Sequence, residues 1–73
     1  MVSIDCVSTG AKLKQLARAK GMSNKDIQRL MGFNTPQSVY KWFRGDCMPS
    51  IDNLVILAEA FDCTIDDLVV IQR

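Results

Sequence analysis

Apolar residues recur three and four apart along most of the 73-residue chain, the spacing of helices that bury one stripe. Leu13, Leu16, Ala17 and the stem of Lys20 make the inward stripe of a first helix running to about Lys20, with Lys12, Lys14 and Arg18 left in water. Ser8 or Thr9 can cap this helix, and Gly21 stops it. Ser23 and Asp26 form a capping box that opens a second helix to about Met31. Its core face is Ile27, Leu30 and Met31, and Gly32 ends it. Thr35 is a good N-cap, Pro36 suits the first helical position, and Gly45 suits the left-handed residue that closes a helix. These signals predict a third helix, from which Val39 and Trp42, three apart, point inward. Pro49 blocks an early start to the next element. Ser50 then caps a fourth helix from Ile51 to about Ala60. Its apolar face of Ile51, Leu54, Val55, Leu57 and Ala58 is broad enough for a central core helix. Thr64 and Asp67 repeat the capping box before a short fifth helix carrying Ile65, Leu68 and Val69. Only residues 1–7 alternate, at Val2, Ile4 and Cys6, as an extended segment does. The predicted fold is all-α: a short extended N-terminal arm, residues 1–8, and a compact five-helix domain, residues 9–73.

Composition narrows the class. A hydrophobic content of 48% is ample for one core, and the length suits one small domain. No run of eighteen apolar residues and no signal-like N-terminus is present, so a membrane partner is not expected and a cytoplasmic location is. Cys6, Cys47 and Cys63 are an odd, widely spaced set in a chain without histidine. They read as reduced thiols rather than as a zinc site or a disulfide scaffold. With no histidine, no nucleophile–base pair and no phosphate-binding glycine loop, neither an enzyme nor a cofactor is expected.

Charge changes the picture more. The net charge of +1 conceals a split chain. Residues 11–44 hold eight cations against Asp26 alone, a balance of +7, whereas residues 45–73 hold Arg73 against six carboxylates, a balance of −5. Such asymmetry is the footprint of a polyanion partner. The outer face of the third helix carries Gln37, Tyr40, Lys41 and Arg44 and no carboxylate. Gln and Lys can hydrogen-bond base edges in a DNA major groove while Arg pairs with phosphate. Taken alone, that stretch is equally consistent with a solvated amphipathic helix.

The wider pattern resembles the phage-repressor and Cro type of helix-turn-helix domain (XRE-like, lambda-repressor-like). The matching segments are Leu13-Lys14-Gln15-Leu16, Gly21 to Ile27, Val39 to Gly45, Met48 to Leu54, Leu57 to Phe61 and Thr64 to Leu68. They span roughly residues 9–69. The resemblance implies double-stranded DNA as partner and assigns base reading to Pro36, Gln37, Ser38 and Lys41. It assigns phosphate contacts to Asn24, Lys25, Thr35, Tyr40 and Arg44. Asn24 stands where the family usually has a longer Gln. The turn before the third helix is one residue longer than the common form, and Gln28 replaces a small Ala. Ala17 and Phe43 replace an Arg–Glu pair, which leaves no orphan charge and Phe43 open to solvent.

The expected function is that of a sequence-specific DNA-binding transcription regulator of repressor type. The expected mode is a homodimer on an inverted repeat with half-sites about one helical turn apart. Val2/Ile4, Phe43 and the tail Val69-Val70-Ile71 stand equally as dimer surfaces. The alternative is a protein-interaction module with a protein partner, such as an antitoxin or a small adaptor. A redox sensor at Cys47 rests on one residue.

Overall fold

The computed structural model describes residues 2–73; Met1, the first residue of the expected arm, lies outside the described residues. In chain order the elements are β1 (Ser3–Ile4), α1 (Cys6–Ala19), α2 (Asn24–Met31), α3 (Gln37–Arg44), α4 (Ile51–Phe61), α5 (Ile65–Leu68) and β2 (Ile71–Gln72). The five expected helices are present, and one small sheet is added. β1 and β2 pair antiparallel, Ser3 with Gln72 and Ile4 with Ile71. The extended N-terminal segment is therefore tied to the C-terminal tail, and Asp5 N–H donates to the Val70 carbonyl at 2.8 Å.

The first helix begins earlier than its sequence signals indicated. Asp5, not Ser8 or Thr9, is its N-cap, and the Asp5 carboxylate accepts the Ser8 N–H at 2.9 Å. Cys6, Val7 and Ser8, expected in the arm, are its first turn. Thr9 is instead fully buried, and its hydroxyl accepts the Val70 N–H at 2.9 Å. A threonine this far into a helix is explained by that distant donor, which would otherwise be unsatisfied. At α3, Pro36 rather than Thr35 occupies the N-cap position and supplies no side-chain cap. Both capping boxes, Ser23 with Asp26 and Thr64 with Asp67, form as expected.

The core comprises Leu13 and Ala17 of α1, Ile27 of α2, Val39 and Trp42 of α3, Leu54, Leu57, Ala58 and Phe61 of α4, and Leu68 of α5. Three residues expected inside are outside. Leu30 is 41% exposed, Ile51 70% and Val55 52%. Helix α4 is apolar around most of its circumference, so periodicity alone leaves open which part of that surface its neighbours cover. Lys20, whose stem was expected to line the core, is the exposed C-cap of α1.

Three capping carboxylates carry a pH signature. The N–H groups of Ser8, Ser23 and Thr64, backbone donors all, lower the pKa values of Asp5, Asp26 and Asp67 below the ordinary aspartate value. The native state therefore binds fewer protons than the unfolded chain near that value. This contribution to stability is present above the unfolded pKa, near pH 4, and is lost as pH falls through the lower native values. Thermal melts are expected to hold steady from neutrality to about pH 5 and to drop below about pH 4. The Asp26→Asn/Asp67→Asn double variant is expected to flatten part of that drop.

Candidate nucleic-acid interface

Two buried anchors orient α3. Val39 is fully buried and Trp42 is 4% exposed. The helix therefore turns Gln37, Tyr40, Lys41 and Arg44 to solvent. Thr35 is exposed beside them, whereas Pro36 and Ser38 are half-buried. Across the turn Lys25 is exposed and Asn24 half-buried, both in the first turn of α2. The base-reading and phosphate candidates thus gather on α3, the turn before it and the start of α2.

The long turn between α2 and α3 is stitched from both sides. Gln28 Nε2 donates to the Phe33 carbonyl at 3.2 Å, so the residue standing where a small one is common serves the extra length of chain. Phe33 packs edge-on to Trp42, with ring centroids 5.7 Å apart and planes at 66°. The far end of α3 closes at Gly45 with φ +83°, against Val7 of α1. A side chain there would meet both left-handed backbone strain and the Val7 backbone, with its Cβ 2.6 Å from the Val7 Cα.

Two cations are less free than their sequence context suggested. Arg18, exposed as expected, donates from Nη1 to the Met22 carbonyl at 2.8 Å and from Nη2 to Asn24 Oδ1 at 2.7 Å. Its guanidinium carbon also lies 5.8 Å from the centroid of the Phe43 ring. Phe43, expected open to solvent, is half-buried and packs against the core on its other side. The signal for Arg18 was its spacing of four from Met22, which lets a long side chain reach the carbonyls of the turn.

Arg44 is held by Asp46, through Nε at 3.0 Å and Nη2 at 2.8 Å. An exposed pair of this kind contributes little to stability, but it places an anion beside a cation assigned to phosphate. Replacing Asp46 with asparagine is expected to raise affinity for duplex DNA roughly three- to tenfold at low salt. It should leave the melting temperature nearly unchanged; titration of a fluorescent duplex measures the first and a thermal melt the second. Among the described residues neither Lys25 nor Lys41 has a carboxylate within ion-pair distance.

Cys6, Cys47 and Cys63 are free thiols. Burial, and then the Asp67 carboxylate, push the Cys63 thiol up, which favours the thiol over the nucleophilic thiolate. Cys47 is exposed. No helix among the described residues is long and apolar enough to cross a membrane.

The helix-turn-helix family (HTH_3) matches residues 13–68, which takes in α2, α3 and α4 whole. Among solved structures the chain is similar to the restriction-modification controller protein C.AhdI from Aeromonas hydrophila, at 33% identity and a TM-score of 0.76. The similarity covers 88% of this chain and 96% of that one. The comparison with curated proteins returns no match. The regulators of this family bind DNA and are not enzymes. With the match running through the core helices and the turn that carries the polar face, the chain belongs to the helix-turn-helix family of XRE/Cro–C1-type DNA-binding transcription regulators.

Proposed function

We propose that the protein is a repressor that sets α3 into the major groove of double-stranded DNA and works as a homodimer on an inverted repeat. The observation that carries this reading is the outward face of Gln37, Tyr40, Lys41 and Arg44, to which α3 itself contributes no carboxylate, fixed by buried Val39 and Trp42. Gln37 and Lys41 have the free reach for base edges, with Pro36 and Ser38 at the rim of the same contact. Asn24, Lys25, Thr35, Tyr40 and Arg44 hold the flanking phosphates and set the register. Occupancy then blocks polymerase; no chemistry is involved.

A second copy is the occupant we assign to an apolar groove between α2 and α4. Leu30, Val55, Ile56 and Ala60 line it, with Glu59 at its edge. The groove joins a helix with exposed Lys25 and Arg29 to one with exposed Asp52 and Glu59. A two-fold axis running between them sets the basic helix of each copy on the acidic helix of the other, a self-complementary arrangement. Of the surfaces suggested by sequence, Phe43 is half-buried beside Arg18, whereas the paired termini still leave Val2, Ile4 and Ile71 exposed.

The test is sedimentation of wild type beside Ile56→Glu, together with duplex binding across a salt series. A dimer that dissociates in the variant, and affinity that falls steeply with salt, support the reading. Absence of binding at low salt by folded protein would sink the DNA part. A monomeric wild type would leave the groove to a different protein partner, which is the antitoxin or adaptor reading.

A further inference from the structure

We propose that Arg18 is a positioning residue of the DNA interface: it holds Asn24 Oδ1 so that the Asn24 amide nitrogen is committed to donating to a backbone phosphate. This rests on the reading of α2 and α3 as the DNA-facing side. An asparagine amide carries an acceptor on one arm and two donors on the other, whereas an ionised phosphate oxygen only accepts. An amide free to turn offers phosphate the wrong arm part of the time. A guanidinium has only donors, so the Asn24 atom it meets at 2.7 Å is the oxygen. The nitrogen is then left on the diverging arm, with no hydrogen-bond partner among the described residues.

Arg18 is itself fixed from three sides. Its Nη1 holds the Met22 carbonyl at 2.8 Å, its Nη2 holds Asn24, and its plane lies near the Phe43 ring. One side chain of α1 therefore ties the start of α2 to the end of α3. Ordering the short Asn24 side chain before DNA arrives removes an entropy loss from the binding step. The exposed guanidinium gains little stability from these contacts, since it stays in water. The geometry is better explained by what it does to Asn24 than by what it adds to the fold.

The experiment is a double-mutant cycle with the full chain and a mixed-sequence duplex at low salt, using wild type, Arg18→Met, Asn24→Ala and the double variant. Methionine keeps the apolar stem over Phe43 and removes the fork. Arg18→Met is expected to weaken binding about fivefold in the wild-type background and hardly at all in the Asn24→Ala background. The slope of log affinity against log salt should change by much less than about 0.9, the value for one lost phosphate contact. Asn24→Asp keeps the Arg18 pair and the fold, as its melting temperature will report, but replaces the donor with an anion. It is expected to weaken binding more than tenfold.

Additive losses in the cycle, a slope change of a full phosphate contact for Arg18→Met, or wild-type affinity in Asn24→Asp would each overturn the proposal while leaving DNA binding intact. Failure of folded wild type to bind duplex at all would overturn it together with the reading beneath it.

Discussion

Gly10→Ala is expected to destabilise the domain by about 2–3 kcal/mol, against the intrinsic preference of helices for alanine. In an isolated helix the change would gain up to about 1 kcal/mol. Here Gly10 is buried in α1, where the α1 backbone meets the α3 backbone directly. A Cβ at this position would run into the Trp42 carbonyl oxygen and lie 2.9 Å from the Phe43 carbonyl oxygen and 3.1 Å from the Phe43 carbonyl carbon. All three are main-chain atoms, so no rotamer change relieves the clash. The helices must separate, which loosens Leu13 and Trp42 in the core, and overpacking of this sort costs about 1–3 kcal/mol or more. A chain of this length has total stability of roughly 4–11 kcal/mol. The melting temperature should fall by roughly 10–20 °C, and denaturant titration gives the free energy directly. A variant as stable as wild type would show that α1 and α3 are not held at their limiting distance. Since α3 carries the polar face, the same variant should also lose DNA affinity in excess of its unfolded fraction.

Lys41→Glu is expected to lower affinity for duplex DNA about 100-fold at low salt, with the melting temperature unchanged. Lys41 lies one turn from both Gln37 and Arg44 on the exposed face of α3. Among the described residues it has no carboxylate partner. Substitution therefore breaks nothing in the fold; it removes a cation from the groove and puts an anion against the phosphates. The salt slope should become shallower by about 1–2, since each lost phosphate contact accounts for roughly 0.9. Lys14→Glu on α1, equally exposed, provides the comparison. It changes the net charge by the same amount, so any loss it causes measures general attraction alone. A fall for Lys41→Glu no larger than for Lys14→Glu would remove α3 from the contact. Lys41→Gln, which keeps a donor without the charge, should lie between.

The local signals in this chain are strong because they act within a few residues. Ser23 with Asp26, Ser50, and Thr64 with Asp67 begin helices where their side chains satisfy the first free N–H groups. Gly32 and Gly45 end helices in the left-handed conformation that other residues resist. Val39 and Trp42, three apart, are inside, with Phe43 packed partly beside them. The polar face of α3 follows by subtraction, whereas the DNA roles of Asn24, Lys25 and Thr35 come from the family resemblance.

The parts that were not legible all depend on what lies across a gap in sequence. Thr9 looks like a cap until Val70, 61 residues away, supplies the N–H that its buried hydroxyl accepts. Asp5 is as good a cap as Ser8 or Thr9, and the strand pairing that fixes its backbone selects it. Gly10 carries no local sign of its importance, because the atoms that forbid a side chain belong to α3. Leu30 and Val55 fit the helical period of buried residues and are nevertheless exposed.

By itself, then, the sequence determined five helices, most of their ends though not the start of α1, the inward pair on α3 and the split of charge between the two halves. Those are properties of hydrogen bonding and periodicity within one or two turns of chain. Only the tertiary structure decided which side of the broadly apolar α4 is covered, that the two termini pair, and that Arg18 ties together α1, the start of α2 and Phe43. The physical reason is that a helix's own pattern defines a stripe relative to its axis. How closely, and against which partner, that stripe packs is set by the side chains and backbone of the neighbouring elements.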